Sequence, residues 1–240
     1  VTAFVLVHGS AQNASSWERV AKHLRARGHA VTAPDLPKKR PEWRLEDYAA
    51  EIARAAETAR AAVTARTADG AAGPVMVAHS FSGVLLPLLA RRVPCSRLVF
   101  LAAVIPEPRR SVRDQFLADN FMFSGGWIAA GPLWFDPSKR EYLAREFLLH
   151  DCDEETVRAA LPSIELWDTR HLATEPVPFD VWPDTPATSI VASLDRTLTP
   201  EWGRKTTRRV FGRDAIPIEA GHCPHVSRPD EVARILETLA

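Results

Sequence analysis

The sequence predicts one α/β domain built on a mostly parallel sheet of about six strands flanked by helices. Three observations carry this expectation. Short apolar runs alternate with longer stretches of helical periodicity. The runs are nearly continuous in apolar residues, the pattern of strands covered on both faces. The 240 residues suffice for one well-buried core but leave little room for a second large domain.

The strand candidates are Ala3–Val7, Ala30–Ala33, Pro74–Ala78, Arg97–Ala102, Thr188–Ser193 and Ala215–Glu219. Between the first two, Trp17, Val20, Ala21 and Leu24 recur at helical spacing, and Gly28 follows as a stop signal. Leu45, Tyr48, Ile52, Ala56, Ala59 and Val63 form one stripe of a second helix. Val232, Ile235, Leu236 and Leu239 repeat the pattern in the C-terminal segment Glu231–Leu239. Strand–helix alternation implies a parallel sheet with helices on its faces. From about Pro106 to Pro186 the rhythm stops. No clear strand is visible there, but prolines and the aromatic residues Phe116, Phe121, Phe123, Trp127, Trp134, Phe135 and Trp167 accumulate. The expected organisation is therefore a core of residues 1–105 and 187–240 with a helical cap insertion of residues 106–186.

Composition narrows the partners. Lys+Arg and Asp+Glu balance at 30 each, which removes the basic surplus that nucleic-acid or membrane-surface binding would need. No apolar run is long enough to span a bilayer. Cys95, Cys152 and Cys223 are odd in number and lack CxxC spacing, so neither a disulfide framework nor a zinc site is expected, and a reducing cytoplasm fits. The opening VTAFVLVHGS has no basic n-region and runs directly into a motif, unlike a signal peptide.

The chemistry concentrates at predicted strand ends. The segment PVMVAHSFSGVLL starting at Pro74 places Ser80 between a strand and a helix. Such a turn is sharp and lifts the serine off the sheet edge. It demands small residues two before and two after the nucleophile, and Ala78 and Ser82 meet that demand in place of the usual glycines. Ser82 is the rival nucleophile, but the β-branched Val84 would then occupy the tight position. The first strand ends in His8-Gly9-Ser10, where the backbone N–H of Ser10 could join that of Phe81 as an oxyanion hole. Asp195 follows the late strand and could orient a histidine; Asp184 precedes that strand and is the weaker choice. The last strand leads into Gly221-His222-Cys223-Pro224-His225, where the Gly-His spacing favours His222 over His225 as the base. Alone, each signal has an ordinary explanation: a capping serine, a turn aspartate, a solvated loop histidine. Together they stand at different strand ends in the order Ser…Asp…His.

With these motifs the chain resembles the α/β-hydrolase superfamily over Ala3–Val104 and Thr188–Leu239. It looks most like the compact branch of plant methylesterases and hydroxynitrile lyases, which carry a GHxVTAxDL-like strand, read here as GHAVTAPDL at Gly28–Leu36, and an acid segment similar to L-D-x-x-x-x-P-E-W-x-R starting at Leu194. The resemblance implies an α/β-hydrolase fold and a catalytic Ser80, Asp195 and His222 acting without metal or organic cofactor. The lyases of that branch carry Thr after the first-strand His and Lys after the catalytic His. Gly9 and Cys223 stand there instead, so esterase chemistry on a small apolar or aromatic ester, thioester or lactone is favoured. A lyase or cyclising enzyme using the triad as general base is one alternative, and a non-catalytic small-molecule binder is another. Phe121, Phe123, Trp127, Trp134 and Trp167 either line the substrate pocket or hold the cap to the core. His79 is expected to pack beneath the turn, Phe81 to line the pocket and Cys223 to fill space. The Arg204–Arg209 cluster reads as a solvated helix face, and the chain as a monomer or homodimer.

Overall fold

The computed structural model describes residues 1–38, 40–64, 73–165 and 168–240. Its strands are β1 (Ala3–Val7), β2 (Ala30–Thr32), β3 (Val75–His79), β4 (Arg97–Leu101), β5 (Ala187–Ala192) and β6 (Ile216–Ile218). They form one sheet in the order β2-β1-β3-β4-β5-β6, and every pairing is parallel. The helices are α1 (Glu18–Ala26), α2 (Leu45–Thr64), α3 (Leu86–Ala90), α4 (Val112–Ala118), α5 (Gly125–Ala129), α6 (Arg140–Leu143), α7 (Glu154–Ala160), α8 (Arg170–Ala173), α9 (Pro200–Phe211), α10 (Pro224–Ser227) and α11 (Pro229–Thr238).

Alternation along each strand sends side chains to opposite faces. Val5 and Val7 of β1 join Met76, Phe100 and the α2 residues Tyr48, Ile52 and Ala56 in one apolar cluster. Phe4 and Leu6 point the other way, into a cluster with Val20 and Leu24 of α1 and Val232 and Leu236 of α11. Both faces are therefore covered, which is why the strands read as continuous apolar runs. Gly28 closes α1 with φ of +88°, a left-handed conformation that a side chain would oppose.

This strand order decides where a ligand can sit. The chain moves from β1 outward to β2, then crosses back to place β3 on the other side of β1. Helices α1 and α2 consequently lie on opposite faces, and a crevice opens beyond the C-terminal ends of β1 and β3. His8-Gly9-Ser10 and Ser80 stand at that crevice. One strand boundary differs usefully from expectation: β3 continues through His79, which pairs in register with Leu101, so no slack separates the strand from Ser80.

Residues 106–186 contribute short helices and turns, and no strand of the sheet among the described residues. Their apolar side chains divide between two clusters. Val112, Met122, Leu172, Val177 and Phe179 join the cluster on the α2 face. Leu143, Phe147, Leu148, Val157 and Ile164 pack with Cys223 and Val226. The segment thus has its burial completed by the rest of the chain, including the loop that carries His222.

Candidate active site

Ser80 follows β3 with φ of +56°. For a residue with a side chain this left-handed geometry costs on the order of 1–3 kcal/mol, so its neighbours must hold it. The Val104 N–H donates to Ser80 O at 3.0 Å. At Gly83 a Cβ would come within 2.2 Å of Val104 O, and at Gly9 a Cβ would come within 2.9 Å of Ser80 Cβ and 2.8 Å of His79 Nδ1. The close approaches around the turn are thus taken up by Gly9 and Gly83. The rival Ser82 is 2% exposed, and its hydroxyl donates to His8 O at 2.6 Å. It ties the end of β1 to the turn.

Three strand ends meet over Ser80. His222 Nε2 lies 2.9 Å from Ser80 Oγ, and His222 Nδ1 lies 2.8 Å from Asp195 Oδ2. The other carboxylate oxygen, Asp195 Oδ1, accepts the backbone N–H groups of Thr197 at 2.6 Å and Leu198 at 3.1 Å. A carboxylate facing Nδ1 places the ring proton there and leaves Nε2 to accept from the serine hydroxyl. His222 and Asp195 are both buried. The competing His225 is fully buried, stacked on Trp17 at 4.4 Å and near His79 at 4.5 Å. Burial pushes its pKa down to about 3. Asp184 is exposed and precedes β5.

The supporting contacts explain the sequence around the histidine. His79 Nε2–H donates to His222 O at 2.8 Å, and burial holds His79 well below the ordinary imidazole pKa. Gly221 N–H donates to Asp151 Oδ2 at 2.8 Å, and His150 Nε2–H donates to Leu194 O at 3.0 Å. The turn at residues 150–151 therefore touches both the Asp195 loop and the His222 loop. A Cβ on Gly221 would meet Asp151 Oδ1 at 2.5 Å and His150 Nε2 at 2.8 Å. Gly221→Ala is expected to shift His222 and lower kcat about ten- to a hundredfold while the protein stays folded, because sub-ångström to ångström misplacement carries costs of that order. Steady-state kinetics beside a circular-dichroism melt checks this, and an unchanged kcat would contradict it.

Cys223 is completely buried, burial raises its thiol pKa well above the ordinary value, and Gln12 Nε2 reaches its sulfur at 3.5 Å. It fills space beside His222. Among the described residues no group of three or more His, Cys, Asp or Glu side chains is arranged to hold a metal ion.

A cavity of about 460 Å³ opens at Ser80, with Ser10 and Phe81 on its wall. That volume lies toward the smaller end of the roughly 300–1,000 Å³ of small-molecule sites. Phe123 and Trp127 line it as well. Phe121 does not: it sits in the turn in which the Met122 N–H donates to Asp119 O at 3.1 Å, and it is 64% exposed while Met122 is fully buried. Trp134 stacks behind Trp127 with ring centroids 4.1 Å apart, a packing position rather than a lining one. Trp167 lies outside the described residues. Val112, Arg113 and Phe116 of α4 and Thr169, Arg170 and Thr174 around α8 complete much of the wall. Only the helical spacing of Val112 and Phe116 was available in the sequence to suggest this.

Comparison with known proteins agrees with this architecture. Residues 4–235 match the alpha/beta hydrolase family, and the chain belongs to that family. It spans about half the length of the curated relatives first matched. Probable esterase PIR7A of Oryza sativa subsp. indica is 37% identical over 141 residues, 49% of each chain. Methyl jasmonate esterase 1 of Vitis vinifera is 35% identical over 107 residues, 44% of this chain and 40% of its own length. Esterase PIR7B of Oryza sativa subsp. japonica aligns end to end, 36% identical over 265 residues, covering 99% of this chain and 95% of its own. Among solved structures, an extracellular alpha/beta-hydrolase from a Paenibacillus species superposes with a TM-score of 0.73 at 18% identity, covering 100% of this chain and 99% of its own.

Proposed function

We propose that the chain is a carboxylic ester hydrolase working through an acyl-enzyme on Ser80. The observation that carries this reading is the continuous relay Ser80 Oγ–His222–Asp195, with links of 2.9 Å and 2.8 Å, at the wall of an apolar cavity. His222 Nε2 takes the hydroxyl proton as Ser80 Oγ attacks the ester carbonyl carbon. Asp195 holds the ring in the required tautomer and stabilises the imidazolium. The backbone N–H groups of Ser10 and Phe81 receive the negative oxygen of the tetrahedral intermediate, an arrangement in which each donor is worth roughly 10²–10³ in rate. The alcohol leaves with the proton from His222. Water, deprotonated by the same imidazole, then attacks the acyl carbon and releases the acid. Residues 106–186 act as the cap that closes the cavity and supplies most of its apolar wall.

The names of the relatives support ester hydrolysis over the lyase alternative, and so does the neutral, buried Cys223 beside the base, where cyanide departure would be helped by a cation. A pure binding protein has no use for the aligned relay. A fluorophosphonate probe is expected to label Ser80 stoichiometrically, with the adduct located by peptide mass spectrometry. A rapidly quenched slow ester should leave an acyl mass on the same peptide. Absence of labelling would overturn the nucleophile, and turnover without any acyl adduct would overturn the covalent route.

A further inference from the structure

We infer that Asp151 is a positioning residue for His222, and that the turn it shares with His150 is the device by which residues 106–186 keep His222 within reach of Ser80. The inference rests on the reading of Ser80, His222 and Asp195 as the catalytic relay. It adds to that relay a side chain that is not on the cavity wall and acts through the backbone of the His222 loop.

His222 is carried on a pliable link. Gly221 precedes it, and without a Cβ the backbone there is not restricted by its own side chain. Two other side chains bracket the Gly221-His222 pair instead. Asp151 Oδ2 accepts the Gly221 N–H at 2.8 Å at its start, and His79 Nε2–H donates to His222 O at 2.8 Å at its end. His79 belongs to β3, whereas Asp151 stands just before α7, in the segment outside the sheet. Its neighbour His150 donates to the carbonyl of Leu194, the residue before Asp195, at 3.0 Å. One turn therefore grips the residue immediately before each partner of the imidazole–carboxylate pair. The two grips are unequal. The Asp195 loop is also laced to residues 122–124, with Ser124 N–H donating to Thr197 O at 2.9 Å and Thr199 N–H to Met122 O at 3.0 Å. Among the described residues the Gly221 N–H has no acceptor but Asp151.

The form of the contact argues against a role in stability alone. Asp151 Oδ1 is buried and has no hydrogen-bond partner among the described residues. Burying a carboxylate oxygen in that way is costly, and such an exception marks a place where the fold accepts a local cost for the sake of a site. The fit is also close. A Cβ on Gly221 would meet Asp151 Oδ1 at 2.5 Å, so the two residues are matched in shape as well as in hydrogen bonding. Without the carboxylate the Gly221 N–H loses its acceptor and the space beside it opens, which frees the link to rotate. His222 Nε2 lies 2.9 Å from Ser80 Oγ, and proton transfer needs that separation to be kept. The loss therefore falls on kcat, while the cavity wall that sets KM is untouched.

The test is made on the whole protein with p-nitrophenyl butyrate. End-point titration with a fluorophosphonate counts the competent Ser80 sites in each preparation, so kcat is expressed per labelled site and partial misfolding cancels. Asp151→Ala is expected to lower that kcat about ten- to a hundredfold, with KM changed far less. Asp151→Asn keeps an oxygen for the Gly221 N–H and should restore most of the loss. Asp151→Ser is too short to reach and should not; it replaces Asp151→Ala in the comparison if that variant does not fold. The low-field NMR resonance of the His222 Nδ1 proton should shift or broaden in Asp151→Ala and return in Asp151→Asn. A loss of stability alone would not move it well below the melting temperature. Adding Gly221→Ala to Asp151→Ala should cost less than it does in wild type, because the carboxylate oxygen that its Cβ would strike is gone. A wild-type kcat per site in Asp151→Ala, an Asp151→Asn variant as slow as Asp151→Ala, or a Gly221→Ala loss of equal size in both backgrounds overturns the positioning role and leaves the esterase reading intact. Failure of wild type to turn over the ester, with no labelling of Ser80, overturns the esterase reading and the positioning role with it.

Discussion

Replacing Ser80 by alanine is expected to lower kcat for p-nitrophenyl butyrate by about 10⁴-fold or more, with the fold intact. The effect is large because serine and imidazole act as a unit: without Oγ, His222 has no nucleophile to deprotonate, and only binding and the oxyanion donors remain. The substitution spares the structure. Ser80 keeps its Cβ, so the +56° φ is no worse for alanine, and the Val104 N–H bond to the residue 80 carbonyl survives. His222 stays anchored through Asp195 and through its own carbonyl, which accepts from His79. A melting temperature close to wild type with residual turnover near background is the expected pair of results. Retained turnover would remove Ser80 as the nucleophile.

Asp195→Asn is expected to lower kcat by about 10⁴-fold with KM changed far less. The reason lies in what holds the carboxylate. Oδ1 accepts from two backbone N–H groups, Thr197 at 2.6 Å and Leu198 at 3.1 Å. An amide placed there must keep its oxygen toward those donors, which turns its NH₂ toward His222 Nδ1. Two donors cannot face each other, so the imidazole takes the tautomer protonated at Nε2 and can no longer accept the Ser80 proton. Kinetics across pH, together with a nitrogen-resolved NMR measurement of the His222 tautomer, checks the argument. Near-normal kcat with Nδ1 still protonated would contradict it.

Much of this site was legible because it lies at strand ends, and strand ends are marked by local composition. Ser80, Asp195 and His222 each follow an apolar run, and the structure places all three over one sheet edge. The departures at positions 78 and 82 also make sense in three dimensions. Ala78 is buried in the α2-face cluster, and Ser82 spends its hydroxyl on His8 O. The close backbone contact itself falls on Gly83.

Residues 106–186 were far less legible. Aromatic content suggested a pocket, but content does not say which way a side chain points. Phe121 faces solvent while Met122 is buried, Trp134 stands behind Trp127, and the contributions of Arg113 and Arg170 depend on where two short helices come to rest. His150 and Asp151 gave no sequence signal, although they touch the loops of both Asp195 and His222.

Periodicity and turn chemistry were therefore enough for the parallel sheet, for the order of its elements and for the three residues of the relay, since these depend on which face of each element is apolar and where it stops. The strand order β2-β1-β3, the fit of Gly221 against Asp151, and the wall of the cavity were decided by packing between segments far apart in the chain. Such contacts follow from shape and volume at the meeting point. No local pattern of residues records them.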